Sequence, residues 1–463
     1  MAHRPEDPES WEPRESGPLT RLSTAIVRIA LGYAVILLAY SLYSHERWIT
    51  ASSQIRAYLL PAAALLLLTL VLRARPAIRI ATALSMIPLV AGVAALNTAF
   101  AQPHWGIRRA GVHWLIERRR EAVASELRSE GIDAYPYVTP TQLGFGAEML
   151  SFSGRSFLPL SGISRVRTVM CDEGGLIVTY MSDEYGFNNP AGLWPRDSID
   201  VALIGDSFVF GPCVSPRDHF TTIVRDRIPL TLNAGGSGNG PLTELGILRE
   251  YVSAARPSRV LWFYYEGNDM EDLDLEKSNF VRSYIDSSFT QGLRDRQPTI
   301  DSALVVYTEP RVKNAFPGKP LTVRARNLLL LRDLRLGLAP RTKRVSDGDF
   351  ALLREVLSEA KRSVEGWGGS MTLVYLPERH RTDPDFPLTP ARINALDTVH
   401  SRVTQIARDL DVHLLDVAVL FAKDPNPRAI WWAPRTHYSP YGNRVLANVV
   451  LEYLRQKDEP TVK

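Results

Sequence analysis

Cysteine is scarce. The 463-residue chain has two, Cys171 and Cys213. Two thiols cannot staple a disulfide scaffold, and their spacing fits no zinc pattern. One disulfide and two free thiols both remain open, the former requiring an oxidising compartment. Lysine is missing from the first 130 residues, where fifteen Arg face ten Asp or Glu. That stretch carries +5 of a net +4, so the other 333 residues sum to −1. The basic surplus belongs to segments flanking apolar runs, which gives no support to nucleic acid as a partner. The chain also lacks a phosphate-binding P-loop, a nicotinamide-binding glycine fingerprint and a zinc-protease motif. No internal repeat is visible, and neither a metal nor another cofactor is expected.

Long uncharged runs are present, all near the N-terminus. Residues 1–21 are rich in proline and charge and are expected to be a disordered tail. Three transmembrane helices are expected within residues 22–101. They comprise Ile29–Tyr43, extended by Ser23–Val27 if Arg28 snorkels, then Ala57–Leu72 and Ile80–Ala101. Arg14, Arg21, Arg73, Arg75 and Arg79 favour a cytoplasmic N-terminus and second loop. Arg108, Arg109 and Arg118–Arg120 argue the other way. Weighting the first helix and the short loop gives a multi-pass protein of the lipid bilayer, its later residues on the extracytoplasmic (periplasmic) side. Residues 102–197 are expected to hold a helix over His104–Glu130 closed by Gly131, an irregular linker (DAYPYVTPTQLG) and two short strands around a Gly-Gly turn (RTVMCDEGGLIVTY).

Over residues 198–456 strand and helix alternate. Candidate strands are VALIG (201–205), LTLNAG (230–235), VLWFYY (260–265), MTLVYL (371–376) and VHLLDV (412–417). Amphipathic segments Leu242–Ala254, Phe350–Val364 and Ile393–Leu410 lie between them, and Gly442–Gln456 closes the chain before a tail over 457–463. Such alternation predicts an α/β fold with a parallel sheet covered on both faces. Residues 270–347 interrupt the rhythm as a charged, partly helical insertion.

The first of these strands ends in Gly205-Asp206-Ser207. That corner sets a serine hydroxyl on the carboxyl rim of the sheet, where open α/β sheets bind ligands. The second ends in NAGGSGNGP (233–241), whose glycines permit close approach and free N–H groups. The third ends in Glu266-Gly267-Asn268-Asp269, and THYSPYGN (436–443) places His437 in a turn before the last helix. A serine esterase needs a base for its hydroxyl and donors for the developing oxyanion. Ser207, His437, the Gly238 N–H and Asn268 would supply them.

In order and placement these strings resemble the SGNH hydrolase superfamily, also called GDSL-like esterases. The four blocks fall at Ser207, Gly238, Asn268 and His437, and the resemblance covers about residues 195–455. It implies a three-layer α/β/α flavodoxin-like domain and esterase or O-acyltransferase chemistry. The implied nucleophile is Ser207, with the serine N–H, the Gly238 N–H and Asn268 as oxyanion donors. An acylated carbohydrate or another envelope ester is the implied substrate. The family's usual Asp, three residues before the histidine, is replaced by Pro434. A triad carboxylate fixes the imidazole tautomer, so three arrangements stay open. A backbone carbonyl near Ala433 or Pro434 orients His437, or a distant acid does, with Asp416 the candidate by topology, or the site is inactive. In the last case the domain is a binding or assembly platform of an envelope complex. Elsewhere Asp206 is expected to hold its corner through backbone N–H groups. His380, Asp383 and Asp385 read as a solvated loop, His219 and His413 as structural, and Trp431 and Trp432 as core aromatics or an apolar wall.

Overall fold

The computed structural model describes residues 15–43, 55–101, 110–138, 140, 143, 150–152, 155–170, 177–194, 199–211, 213–309, 345–383, 386, 388, 390–432 and 437–458. The chain forms two compact units, Met1–Trp114 with Pro317–Arg344, and Leu115–Phe316 with Val345–Lys463.

The first unit contains α1 (Pro18–Tyr43), α2 (Leu60–Arg73, entered through a π turn over Ile55–Leu59) and α3 (Pro76–Ala101). Ala74 is extended, and Pro76, with its fixed φ, opens the next helix. Arg79 pairs with Glu15, ahead of α1, at 2.8 Å, and reaches Thr24 at 3.4 Å. At the opposite end Tyr58 donates to the Ser41 carbonyl at 3.4 Å. The three helices therefore run up, down and up. Their outer surface is apolar, with Leu66, Leu67, Leu84 and Leu89 exposed. Pro18–Tyr43 and Pro76–Val93 are long and apolar enough to cross a membrane, whereas Ala57–Arg73 is shorter. By that measure there are two candidate spans among the described residues, not the expected three.

The second unit begins in α4 (Ala110–Ser129), closed by Gly131 at φ +83° with Ile132 N–H donating to the Leu127 carbonyl. The stretch expected to be irregular contains β1 (Ala134–Pro136). After the hairpin of β2 (Leu150–Phe152) and β3 (Arg155–Phe157), β4 (Arg167–Val169) pairs parallel to β1 and antiparallel to β5 (Thr179–Met181). The β4 and β5 pair matches the expected strands; the Gly-Gly turn lies outside the described residues. A three-residue strand containing proline carries no alternation to read, so only its partner β4 reveals β1.

The main sheet is built from β6 (Val201–Gly205), β7 (Thr231–Gly235), β8 (Arg259–Tyr265), β9 (Ser370–Leu376) and β10 (His413–Asp416). All pairings are parallel, in the order β7-β6-β8-β9-β10. In chain order this is the 2-1-3-4-5 arrangement of flavodoxin-like sheets. Between and after the strands come α5 (Ser207–Phe210), α6 (Phe220–Arg225), α7 (Pro241–Ile247, continued by a π turn to Ala255), α8 (Asp269–Glu276), α9 (Gln297–Thr308), α10 (Asp347–Gly366), α11 (Pro390–Asp409), α12 (Val417–Phe421) and α13 (Pro440–Asp458).

Strand side chains alternate between two cores. Val201 and Leu203 join Phe220, Phe421, Leu446 and Val450 on one face. Ala202 and Ile204 join Leu245, Leu353, Val356 and Val403 on the other. Both faces are covered, which makes the domain a three-layer α/β/α sandwich and explains why its strands read as continuous apolar runs. Part of the expected insertion belongs to the domain itself, because Met270, Leu273, Tyr284, Ile300 and Leu304 pack into the second core. Residues 310–344 lie outside the described residues. Cys213 is disulfide-bonded; Cys171, the chain's other cysteine, is outside the described residues.

Candidate active site

The first corner of the sheet works because Gly205 has no side chain. A Cβ there would lie 2.6 Å from Val209 Cγ2 and 3.0 Å from Phe263 Cβ. Asp206 caps the next turn as expected, its Oδ1 accepting from Phe208 N–H at 2.9 Å. Ser207 opens α5, so its N–H has no intrahelical acceptor. Four residues cannot hold a helix by themselves, and neighbouring side chains fasten its far end. Asn233 Nδ2 donates to the Val209 carbonyl at 2.9 Å, and Asn188 Nδ2 to that of Phe210 at 3.3 Å. Gly211, at φ +78°, returns its N–H to the Ser207 carbonyl at 3.0 Å.

His437 comes from 230 residues downstream, and its Nε2 lies 2.9 Å from Ser207 Oγ. A short antiparallel pairing places it there. Trp431 bridges Tyr438, Trp432 N–H donates to the His437 carbonyl at 3.1 Å, and Ser439 N–H donates to that of Ile430 at 2.8 Å. Asn443 fastens the turn to the helix behind it, donating to the Tyr438 and Ser439 carbonyls and accepting from Phe220 N–H. The Phe208 ring lies 5.2 Å from the imidazole. Trp431 is a buried core aromatic whose Nε1 donates to Thr382 Oγ1 at 2.7 Å. Residues 433–436, Ala433 and Pro434 among them, lie outside the described residues.

Asp416 does not serve as the orienting acid. Its Oδ2 is 2.7 Å from His400 Nε2, and its Oδ1 accepts from Ala418 N–H to cap α12. The bond to Asp416 raises the pKa of His400. Sequence topology put Asp416 at the correct end of a strand, but β10 is the edge of the sheet and β6 lies near its other side.

The segments that follow β7 and β8, the two strands flanking β6, carry the other candidate residues. Gly238 sits at φ +78°, where glycine is favoured, and its N–H has no acceptor among the described residues. Asn268 is the residue before α8; its Nδ2 donates to Asp272 Oδ2 at 2.7 Å, and its amide also bonds the Asp206 carboxyl. The Asn268 loop is held from three sides. Gly267 leaves room for the Tyr265 ring, which a Cβ would meet at 2.5 Å, and Arg392 donates to the Gly267 carbonyl at 2.8 Å. The buried Glu266 carboxylate accepts from Glu378 N–H at 2.9 Å and from Arg381 Nε at 2.7 Å. Asp269 accepts from Tyr265 N–H at 2.7 Å. Tyr137, in the stretch expected to be linker, stacks on Phe210 at 4.3 Å and accepts from Ser237 N–H at 3.2 Å. It joins the glycine block to the serine helix, and no sequence motif marks it.

Behind these groups lie five carboxyls, Asp206, Glu244, Asp269, Asp272 and Glu276. Burial pushes all five pKa values up, Asp272 to about 8 and Glu276 to about 7. Among Glu244, Asp269 and Asp272 mutual repulsion adds to burial. For Asp206, the Phe208 N–H and the nearby His437 act in the opposite direction. For Glu276, bonds from Thr243 and from the N–H groups of Gly240 and Leu242 oppose burial. The acidic run DMEDLDLE lies at the start of the stretch expected to be a charged, partly helical insertion, and no role was expected of its acids. The available signal was helical spacing, since residues 268, 272 and 276 share one side of a helix.

The other histidines stand apart. His219 is buried and neutral, burial holding its pKa down at about 3, and His413 Nε2 is 3.2 Å from Lys457 Nζ. Burial lowers His380. Asp383 departs from the solvated-loop expectation: it is buried and accepts from Arg379 Nη2 at 2.9 Å. Asp385 lies outside the described residues. Among the described residues, no three His, Cys, Asp or Glu are grouped to hold a metal ion.

No protein-family model matches the sequence, and neither does any curated protein. Solved structures are similar at low identity. One is a lipase/acylhydrolase from Enterococcus faecalis, at 14% identity over 58% of this chain and 100% of that one, with a TM-score of 0.33. An acetyl xylan esterase matches at 12% identity over 55% of this chain and 100% of its own, with a TM-score of 0.33. A variant of an acetyl-xylooligosaccharide esterase from Geobacillus Stearmophilus matches at 16% identity over 57% and 96%, with a TM-score of 0.32.

Proposed function

We propose that the chain is a membrane-anchored serine ester hydrolase or O-acyltransferase of the SGNH type, acting on an O-acylated glycan or another ester of the cell envelope. The observation that carries this reading is the 2.9 Å approach of His437 Nε2 to Ser207 Oγ at the carboxyl rim of a parallel sheet. With its proton on Nδ1, the imidazole presents a lone pair to the serine O–H. Ser207 Oγ forms a bond to the acyl carbon as His437 takes its proton. The tetrahedral oxyanion is held by the Ser207 and Gly238 N–H groups and by Asn268. Collapse expels the alcohol, which takes the proton from His437, and leaves an acyl-serine. Water attacks it in a hydrolase, an acceptor hydroxyl in a transferase, and His437 again carries the proton.

The apolar helices of the first unit support a membrane anchor. The Arg79–Glu15 pair, which joins the starts of α1 and α3, is what a chain crossing an odd number of times would show. The disulfide-bonded Cys213 supports an oxidising, extracytoplasmic setting for the catalytic unit.

The test is fluorophosphonate labelling of the detergent-solubilised full chain beside Ser207→Ala and His437→Ala. Labelling that needs both residues is the expected result. A folded wild type that takes no label would overturn the reading in favour of a binding platform. Reporter fusions at Lys463 should be active only for reporters that work outside the cytoplasm.

A further inference from the structure

The face of α8 that follows Asn268 touches both the Asn268 side chain and the segment just after Gly238. Asn268, Asp272 and Glu276 are spaced i, i+4, i+8, which stacks them on one side of the helix. Asp272 Oδ2 accepts from Asn268 Nδ2 at 2.7 Å. One turn on, Glu276 accepts from Gly240 N–H at 2.8 Å, Leu242 N–H at 2.9 Å and Thr243 Oγ1 at 2.5 Å, two to five residues beyond Gly238. The two segments meet closely because Gly240 has no side chain. A Cβ there would fall 2.9 Å from Asp272 Cβ and 2.7 Å from Glu276 Oε2. Of four acids beside the site, three of them within eight residues, Glu244, Asp269 and Glu276 are buried and Asp272 is partly so, and burial and mutual repulsion disfavour their charged forms. Such an arrangement is unfavourable for stability, so a functional constraint on the helix face accounts for it better than folding does.

We propose that Asp272 is a positioning residue. Its carboxyl oxygen fixes the Asn268 amide, so that one N–H is committed to Asp272 and the other is turned toward the Ser207 corner, where it meets the Asp206 carboxyl until an oxyanion forms. Glu276 completes the same face by holding the backbone that presents Gly238. This inference rests on the serine-esterase reading, with Asn268 as an oxyanion donor. The role requires an acceptor at one place and does not require negative charge. Asparagine at 272 keeps a carbonyl oxygen there, glutamate moves the oxygen outward by a methylene, and alanine removes it.

The test is hydrolysis of p-nitrophenyl acetate by the solubilised full chain, with kcat and KM determined separately and active sites counted by fluorophosphonate. Asp272→Ala and Asp272→Glu should each lower kcat about 10- to 100-fold with KM nearly unchanged, as expected for a misplaced catalytic group. Asp272→Asn should stay within about threefold of wild type, since it keeps the acceptor. In an Asn268→Ala background, Asp272→Ala should cost less than about twofold more, because coupled residues are not additive. If Asp272→Asn falls as far as Asp272→Glu, the acceptor geometry is not the cause and the inference is overturned. An undiminished loss in the Asn268→Ala background also overturns it. The Asp272→Asn and Asp272→Glu pair decides the question even if Asp272→Ala does not fold. Absence of Ser207-dependent labelling in wild type overturns the esterase reading itself, whereas labelling with a fully active Asn268→Ala overturns only the inference.

Discussion

Gly235→Ala tests how closely the serine helix is seated. Gly235 ends β7 directly opposite Gly205 in the sheet register. A Cβ on it would lie 2.5 Å from the Phe210 nitrogen and 2.7 Å from Val209 C and Cβ. Against an ordinary contact distance of 3.4 Å, the nearest approach is about 0.9 Å short. The obstructing atoms are mostly backbone of α5, so no side chain can swing aside and the helix must move as a body. Its anchors, Asn233 Nδ2 to Val209 O at 2.9 Å and Asn188 Nδ2 to Phe210 O at 3.3 Å, would be stretched with it. Ser207 is two residues from the clash. Because misplacing a reacting group by about 1 Å can cost about 100-fold, Gly235→Ala should slow acylation roughly 10- to 100-fold. The assay is the rate of fluorophosphonate labelling of the solubilised full chain, with circular dichroism confirming the fold. A folded Gly235→Ala protein labelled at the wild-type rate would refute the reasoning.

Stability should fall as pH rises from 5 to 8.5. Burial raises Asp183 to about 6, Glu276 to about 7 and Asp272 to about 8, above ordinary values of 3.8, 4.5 and 3.8. The folded state binds these protons more tightly, so their contribution is complete below the unfolded values and is lost as pH climbs through the folded ones. For Asp183 the shift corresponds to about 3 kcal/mol in all, roughly half of it lost above pH 5; a Tm that rises across this range would contradict the assignment. Arg381→Met leaves the fully buried Glu266 carboxylate without its guanidinium. It should cost about 3–5 kcal/mol in chemical denaturation, partly recovered by adding Glu266→Gln. Gly366 ends α10 with nothing within 4 Å of its Cβ position. Gly366→Ala should add about 0.5–1 kcal/mol of stability and leave ester hydrolysis unchanged.

Much of the second unit was legible because its signals are local. Val201–Gly205, buried on both faces, is a strand of continuous apolar residues, and its boundaries follow from the sequence alone. The other four strands were placed to within a residue or so, since an apolar run ending in glycine or a polar rim residue has few other readings. Ser207, Gly238 and Asn268 were marked by motifs at strand ends, which parallel strands bring to one rim, and His437 by a motif just ahead of the last helix. The β1 strand could not be read, because three residues with a proline have no period. Asp272 and Glu276 went unmarked within the charged insertion, since composition does not show which side of α8 meets Gly240.

By itself the sequence determined which elements form, where the sheet's functional rim lies, and which serine and histidine could meet there. Tertiary structure alone decided the partners. It gave Asp416 to His400, placed Tyr137 between the glycine block and the serine helix, and packed five carboxyls, four of them buried, behind the site. The physical reason is range. Strand and turn formation depend on neighbours a few residues away, whereas an acid's burial and a hydrogen bond's partner depend on segments far off in the chain.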